Sequence, residues 1–149
     1  MHSLTSNTKD NHMPIDDCKI IKIPTAADFF PGRMSFIDGR DQIPFDIKRV
    51  YYLFDVQSGD VCKGSAHGKT TSLVIAVQGS FDVLLDDGQR SRSHFLNLPY
   101  QGLLIPPMTW RQFSNFSSGS VCMILASTAA SEGDDIMDYA EFQSAVAVS

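Results

Sequence analysis

Leu73-Val74-Ile75-Ala76-Val77-Gln78-Gly79-Ser80-Phe81-Asp82-Val83-Leu84-Leu85-Asp86-Asp87-Gly88 is the stretch on which the fold turns. Its first five residues form an unbroken apolar run of strand length. Gln78-Gly79-Ser80 breaks the run, and Phe81 to Leu85 resumes it. Asp86-Asp87-Gly88 then reads as a hairpin turn, because Gly88 can take the positive φ that such turns require. Arg90 to Leu96 returns with polar alternation.

The same rhythm continues on both sides. Asn97-Leu98-Pro99-Tyr100-Gln101-Gly102 is a turn, Leu103-Leu104-Ile105 runs into Pro106-Pro107, and Thr109-Trp110-Arg111-Gln112-Phe113 follows. Ser117-Ser118-Gly119 turns the chain into a buried-looking strand, Val121 to Ala126. Upstream, Phe45 to Val56 is rich in β-branched and aromatic residues. Alternation places Arg49, Tyr51 and Leu53 on one face and Val50, Tyr52 and Phe54 on the other. Met34 to Asp38 is a further strand, and Phe29 to Arg33 a turn. Ile20 to Ile23 is a short apolar run ended by Pro24. After Ser131 the spacing of Ile136, Met137, Tyr139, Phe142 and Val146 predicts a helix over Asp134 to Val146. Many short strands with Gly/Pro turns and one terminal helix imply an all-β, double-sheet jelly roll with a short C-terminal helix.

The chain has 149 residues, enough for one domain with a real core. Residues 1–14 are polar, lack an apolar signal core and read as a disordered leader to a single domain spanning 15–149. A net charge of −5 speaks against broad nucleic-acid or anionic-membrane binding. No apolar run approaches the roughly 18 residues of a membrane span. Cys18, Cys62 and Cys122 are odd in number and widely spaced, which fits free thiols in a reducing cytoplasm.

Lys63-Gly64-Ser65-Ala66-His67-Gly68-Lys69 holds the main candidate chemistry. Residues i and i+2 of a strand share a face, so Ser65 and His67 project together. An imidazole titrates near neutrality and suits proton transfer. A serine hydroxyl cannot act as a base unaided. The plainer explanation of His67 is a surface-turn histidine. Lys48, Arg49, Lys63 and Lys69 gather around the motif, as a solvated charged face or as a diphosphate-neutralising patch to which Arg brings paired donors. Tyr51, Tyr52 and Trp110 are core aromatics or walls of a barrel mouth. His94 reads as exposed, and Glu132, Asp134, Asp135 and Asp138 as helix-start charges.

Several segments together resemble one family, the dTDP-4-keto-6-deoxyglucose 3,4-ketoisomerases. They are Pro44 to Val56, Gly79 to Gly88, Gly102 to Arg111, Asn115 to Cys122 and Asp138-Tyr139-Ala140-Glu141-Phe142. The resemblance spans roughly residues 18 to 143. It implies a cupin double-stranded β-helix, a homodimer with exchanged strands, and no metal or organic cofactor. It implies an isomerase that moves a carbonyl from C4 to C3 of a thymidine-diphosphate sugar for polysaccharide biosynthesis.

Departures from the family are concentrated at polar positions. Its Arg-Gly-x-His-Ala-His-Lys motif places the second histidine on His67 and the first on Ser65. Its early Arg-Gly-x-Leu appears as Pro31-Gly32-Arg33-Met34, its Glu after the Trp as Gln112, and its Asp-Tyr-Ile-Arg as Asp134-Asp135-Ile136-Met137. Metal-holding cupins supply a His-x-His pair, a nearby Glu and a later His, and here Trp110 and Arg111 stand where the later His would be. The residues then read as follows. His67 is the acid/base and Tyr51 helps bind and orient the sugar. Arg49, Lys63, Ser65, Trp110 and Arg111 are substrate contacts. The alternative is a homologue that binds a nucleotide sugar without turning it over, or that acts on a different one.

Overall fold

The computed structural model describes residues 12–26, 31–39 and 41–148. Its strands are β1 (Lys19–Lys22), β2 (Thr25–Ala26), β3 (Met34–Ser35), β4 (Arg49–Leu53), β5 (Ala66–His67) and β6 (Ser72–Gln78). They continue as β7 (Phe81–Asp86), β8 (Ser91–Leu96), β9 (Gln101–Ile105), β10 (Trp110–Ser114), β11 (Val121–Ala126) and β12 (Asp135–Ile136). One helix, α1 (Tyr139–Ala147), follows. The larger sheet has the order β1-β9-β6-β11-β4 and the smaller one β10-β7-β8, with short ladders β12-β5 and β2-β3 at the rims. Every pairing is antiparallel. This is the all-β jelly roll expected from the sequence.

The two sheets close on a core of Val74, Ala76, Leu103, Ile105, Cys122 and Ile124 from one side and Phe81, Val83, Leu85 and Phe113 from the other. The opposite face of β6 is covered too. Leu73 and Ile75 pack with Ile23, Ile43, Phe45, Leu104 and Leu125. A strand buried on both faces needs apolar residues at every position, which explains the unbroken run from Leu73 to Ala76; Val77, beyond it, is exposed. In β7 the pattern alternates, with Phe81, Val83 and Leu85 buried and Leu84 reaching solvent.

The hairpin forms where the sequence places it, β7 pairing β8 from Phe81↔Leu96 to Asp86↔Ser91. Gly88 has φ +95°, and the Asp86 and Asp87 carboxylates accept N–H bonds from Gly88, Gln89 and Arg90. Gly79 has φ +74°, and a Cβ there would collide with the Ser117 and Ser120 hydroxyls.

Three boundaries differ from expectation. The strand expected over Phe45 to Val56 pairs only at Arg49–Leu53, because Phe45 leaves to fill the second core and Asp55 takes φ +59°. The strand expected over Met34 to Asp38 narrows to Met34–Ser35. The helix starts at Tyr139 and not at Asp134, since Asp135–Ile136 pairs with β5 first. Asp138 then caps α1, accepting the Ala140 N–H at 2.8 Å. Phe142, on the inner face of α1, is fully buried against Ala66 and Trp110. Met1 to Asn11 of the expected leader and Phe29 and Phe30 of the expected turn lie outside the described residues. Met13 packs against the main core, and Pro14 opens a short 3-10 turn over Pro14–Asp17.

Candidate functional site

At one end of the barrel β5 lies between two partners. Ser65 and Arg111 form an antiparallel bridge, with N–H to carbonyl distances of 3.0 and 2.8 Å. On the other side β12 pairs with β5, placing Asp135 directly opposite His67. These contacts frame a cavity of about 270 Å³ lined by Tyr51, Lys63, Ser65, His67 and Arg111 and backed by Phe113 and Ile124. An open cleft of about 690 Å³ beside α1 shares Lys63 with it, but the buried titratable groups belong to the smaller cavity.

His67 is 5% exposed. Its Nδ1 lies 2.7 Å from Asp135 Oδ1 and 3.3 Å from Asp134 Oδ1. Burial and the positive charge of Arg111 hold its pKa below the ordinary value of 6.5, against the pull of Asp135 and Asp134. The imidazole is therefore neutral at neutral pH. With its proton on Nδ1, facing the carboxylates, Nε2 keeps a free lone pair and can act as a base.

Asp134 is tied down by its other oxygen. Oδ2 accepts the Lys69 and Thr70 N–H groups, each at 2.9 Å, and the Thr70 hydroxyl at 2.7 Å. Burial alone would raise its pKa, but these donors and His67 outweigh it and bring the carboxyl down to about 2. His67, Asp134 and Asp135 bring three ligand-type atoms within 4.8 Å of one another. Three donors already occupy Asp134 Oδ2 and the imidazole faces both carboxylates, which makes the trio a hydrogen-bonded network.

Arg111 is 2% exposed and donates through one terminal nitrogen to Ser72 Oγ at 3.0 Å. Its Nε and its other terminal nitrogen have no partner among the described residues. Burial lowers its pKa to about 10, which still leaves it charged. Enclosed donors without partners are costly, and an oxygen-rich ligand in the cavity would satisfy them. Burial raises the Tyr51 phenol, with Arg111 and Arg49 opposing, so it remains protonated at neutral pH. The Arg49 guanidinium lies 5.0 Å from the centre of the Tyr51 ring.

Of the expected site residues, Tyr51, Lys63, Ser65, His67 and Arg111 converge on the cavity, and Arg49 adjoins it through Tyr51. Trp110 lines the adjoining cleft of about 690 Å³ instead, together with Lys63. Successive residues of a strand point to opposite faces, so Arg111 turning inward sends the Trp110 indole out. There it packs with Ala66, Phe142 and Tyr139, in a space that only a glycine at position 64 leaves open. Lys69 pairs with Glu132 at 3.4 Å, away from the cavity. Asp134 and Asp135 are the site residues that sequence reasoning missed. Their nearest sequence signal, acidic residues ahead of a helix, has an ordinary explanation in helix capping.

The family described as "FdtA: WxcM-like, C-terminal" matches residues 16–147. A TDP-4-oxo-6-deoxy-alpha-D-glucose-3,4-oxoisomerase from Aneurinibacillus thermoaerophilus is 37% identical over 116 residues, covering 78% of this chain and 84% of that protein. The crystal structure of a 3,4-ketoisomerase from Helicobacter canadensis superposes with a TM-score of 0.83 at 34% identity, over 91% of this chain and 99% of that one. A sugar 3,4-ketoisomerase from Thermoanaerobacterium thermosaccharolyticum, solved in complex with TDP, gives 0.82 at 33% identity, over 88% and 95% of the two chains.

Proposed function

Because the chain belongs to the FdtA (WxcM-like, C-terminal) family, we propose that it is a 3,4-ketoisomerase of a TDP-4-keto-6-deoxyhexose, working by acid/base chemistry of its own side chains. The observation that carries this is the pairing, in one cavity, of a neutral buried imidazole with a buried guanidinium that has two unbonded nitrogens.

In this reading His67 Nε2 removes the C3 proton. The electron pair of that C–H bond becomes the C3=C4 double bond, and the C4 carbonyl oxygen takes the negative charge. Arg111 stabilises that charge with donors that no described residue occupies. The imidazolium of His67 returns its proton to C4, and the C3 hydroxyl proton passes to the C4 oxygen. Tyr51 supplies the adjacent phenol for that transfer. Lys63 and Arg49 neutralise the diphosphate, and Ser65 is a polar contact to the sugar.

The three free cysteines support a cytoplasmic protein, and no described helix is long and apolar enough to cross a membrane. The exposed outer face of β4 supports a homodimer. The product would serve surface-polysaccharide sugar synthesis.

The test is proton NMR of the protein with TDP-4-keto-6-deoxyglucose in D₂O. The expected result is the 3-keto sugar, or deuterium at C3. An unchanged spectrum with broadened thymine signals marks a binder or a different hexose, and no broadening overturns the nucleotide-sugar reading. A Ser65→His variant run alongside gains rate if the serine limits proton transfer.

A further inference from the structure

We propose that His67, Asp134 and Asp135 form an inhibitory site for a divalent cation of the zinc class, which takes the Nδ1 side of the imidazole in place of the ring proton. The binding stands on the cluster itself, and the inhibition rests on the isomerase reading.

Three ligand-type atoms, His67 Nδ1, Asp134 Oδ1 and Asp135 Oδ1, lie within 4.8 Å of one another. Nδ1 shares a hydrogen bond with Asp134 at 3.3 Å. Asp135 Oδ1 comes within 2.7 Å of the same nitrogen as an ion-pair contact, outside hydrogen-bond geometry. One ring proton serves only one of the two acids, and a neutral ring brings no charge to hold two carboxylates together. The neighbouring cations do not make up the difference. Arg111 attracts both carboxylates but donates to Ser72, and Lys69 Nζ pairs with Glu132 at 3.4 Å. A divalent cation among the three atoms supplies the missing charge.

The donor set and the spacing suit zinc. An imidazole nitrogen with carboxylate oxygens is a borderline set that zinc accepts, with water in the fourth position. Zinc bonds of about 2.0–2.2 Å in a tetrahedral shell put neighbouring ligand atoms about 3.3 Å apart. His67 Nδ1 and Asp134 Oδ1 already have that separation. Asp134 Oδ2 accepts the Lys69 and Thr70 N–H groups and the Thr70 hydroxyl, which fixes the carboxylate and leaves Oδ1 for the ion. Asp135 is set across the ladder from His67 by backbone pairing. Its side chain, 53% exposed, has room to draw back slightly and gives the ion a way in from solvent. It stands where the resembling family has Tyr, so the third donor belongs to this chain.

The consequence for His67 follows from imidazole chemistry. A neutral ring has one N–H and one lone pair. When the ion takes the Nδ1 lone pair, the Nδ1–H bond is gone and the ring's one proton sits on Nε2. That is the atom that would remove the C3 proton, and it no longer has a lone pair to do so. The base is disabled from behind, with nothing entering the cavity.

The experiment titrates chelator-treated wild type and Asp135→Asn with Zn²⁺ against a chromophoric chelator. It follows the His67 ring nitrogens by ¹⁵N NMR and turnover of TDP-4-keto-6-deoxyglucose over the same titration. Wild type should bind one zinc ion per chain, its ring signal should change from the Nδ1–H to the Nε2–H form, and turnover should fall in step with occupancy and return when chelator is added. Asp135→Asn should bind at least about 10-fold more weakly, since losing even an outer partner of a zinc ligand costs that much. Inhibition of this variant, read against its own metal-free rate, should need correspondingly more zinc. Equal affinity in Asp135→Asn, or zinc bound to wild type with the ring proton still on Nδ1, would overturn the site and place the ion on other histidines or thiols. The ring change with undiminished turnover would overturn the inhibition and take His67 out of the chemistry. The ring change in a protein that is inactive even without metal would leave the cation site standing and remove the isomerase reading.

Discussion

Arg111 is the group whose burial the fold alone does not explain. A guanidinium that is 2% exposed, with two nitrogens unbonded among the described residues, destabilises the protein unless a ligand satisfies them. Replacing it by methionine, of similar length and without charge, separates the two cases. Arg111→Met should unfold at the same or a higher temperature than wild type, while turnover in the NMR assay drops about 10²- to 10³-fold. Loss of both together would make Arg111 a structural residue. At this scale the sequence was legible wherever strand alternation applied. Arg49 beside Tyr51, and Ser65 with His67, follow from a period of two. The same rule, applied to Trp110 and Arg111, forbids both from facing the cavity. The placement of Asp135 beside His67 was out of reach, because it comes from a cross-strand register between segments far apart in sequence.

At the scale of elements, β12 and the 68–70 turn are joined through Asp134, and that joint titrates. The carboxyl has an ordinary pKa of 3.8 and is held at about 2 in the folded chain. A group depressed on folding contributes stability that is full above its unfolded value and is lost as pH falls through its folded value. The ladder should therefore loosen between about pH 4 and pH 2. Asp134→Asn should be less stable at pH 7, and its difference from wild type should shrink across that acid window. Thermal unfolding of both proteins at a series of pH values checks this, and a pH-independent gap would refute it. The β7–β8 hairpin was legible from Asp87-Gly88 because turn chemistry is local. The late start of α1 was not, since residues 134–136 have helical spacing and are drawn into β12 by the open edge of β5.

For the whole molecule, the larger sheet ends in β4, which leaves Val50 52% and Tyr52 60% exposed, with Phe54 just beyond it at 58%. Contiguous apolar side chains on an open edge strand suit pairing with another chain, as the proposed homodimer requires. Sedimentation at micromolar concentration should give twice the 16.4 kDa chain mass, and Tyr52→Glu should shift the protein toward monomer. A monomeric wild type would count against the dimer. Composition and turn spacing sufficed to read the jelly roll as a class, because a sandwich of short strands needs only alternating burial and frequent turns. They did not reveal the second core over Leu73 and Ile75, which depends on where the irregular 43–45 segment comes to rest.

The ladder between β5 and β12 also orders events in time. All strands of both sheets are present once the chain has been made as far as Ala126. His67, the proposed acid/base, then still lacks its carboxylates, because Asp134 stands 67 residues beyond it. During synthesis both sheets can close before the β5–β12 ladder forms, so His67 meets these carboxylates only after the barrel around it is already in place.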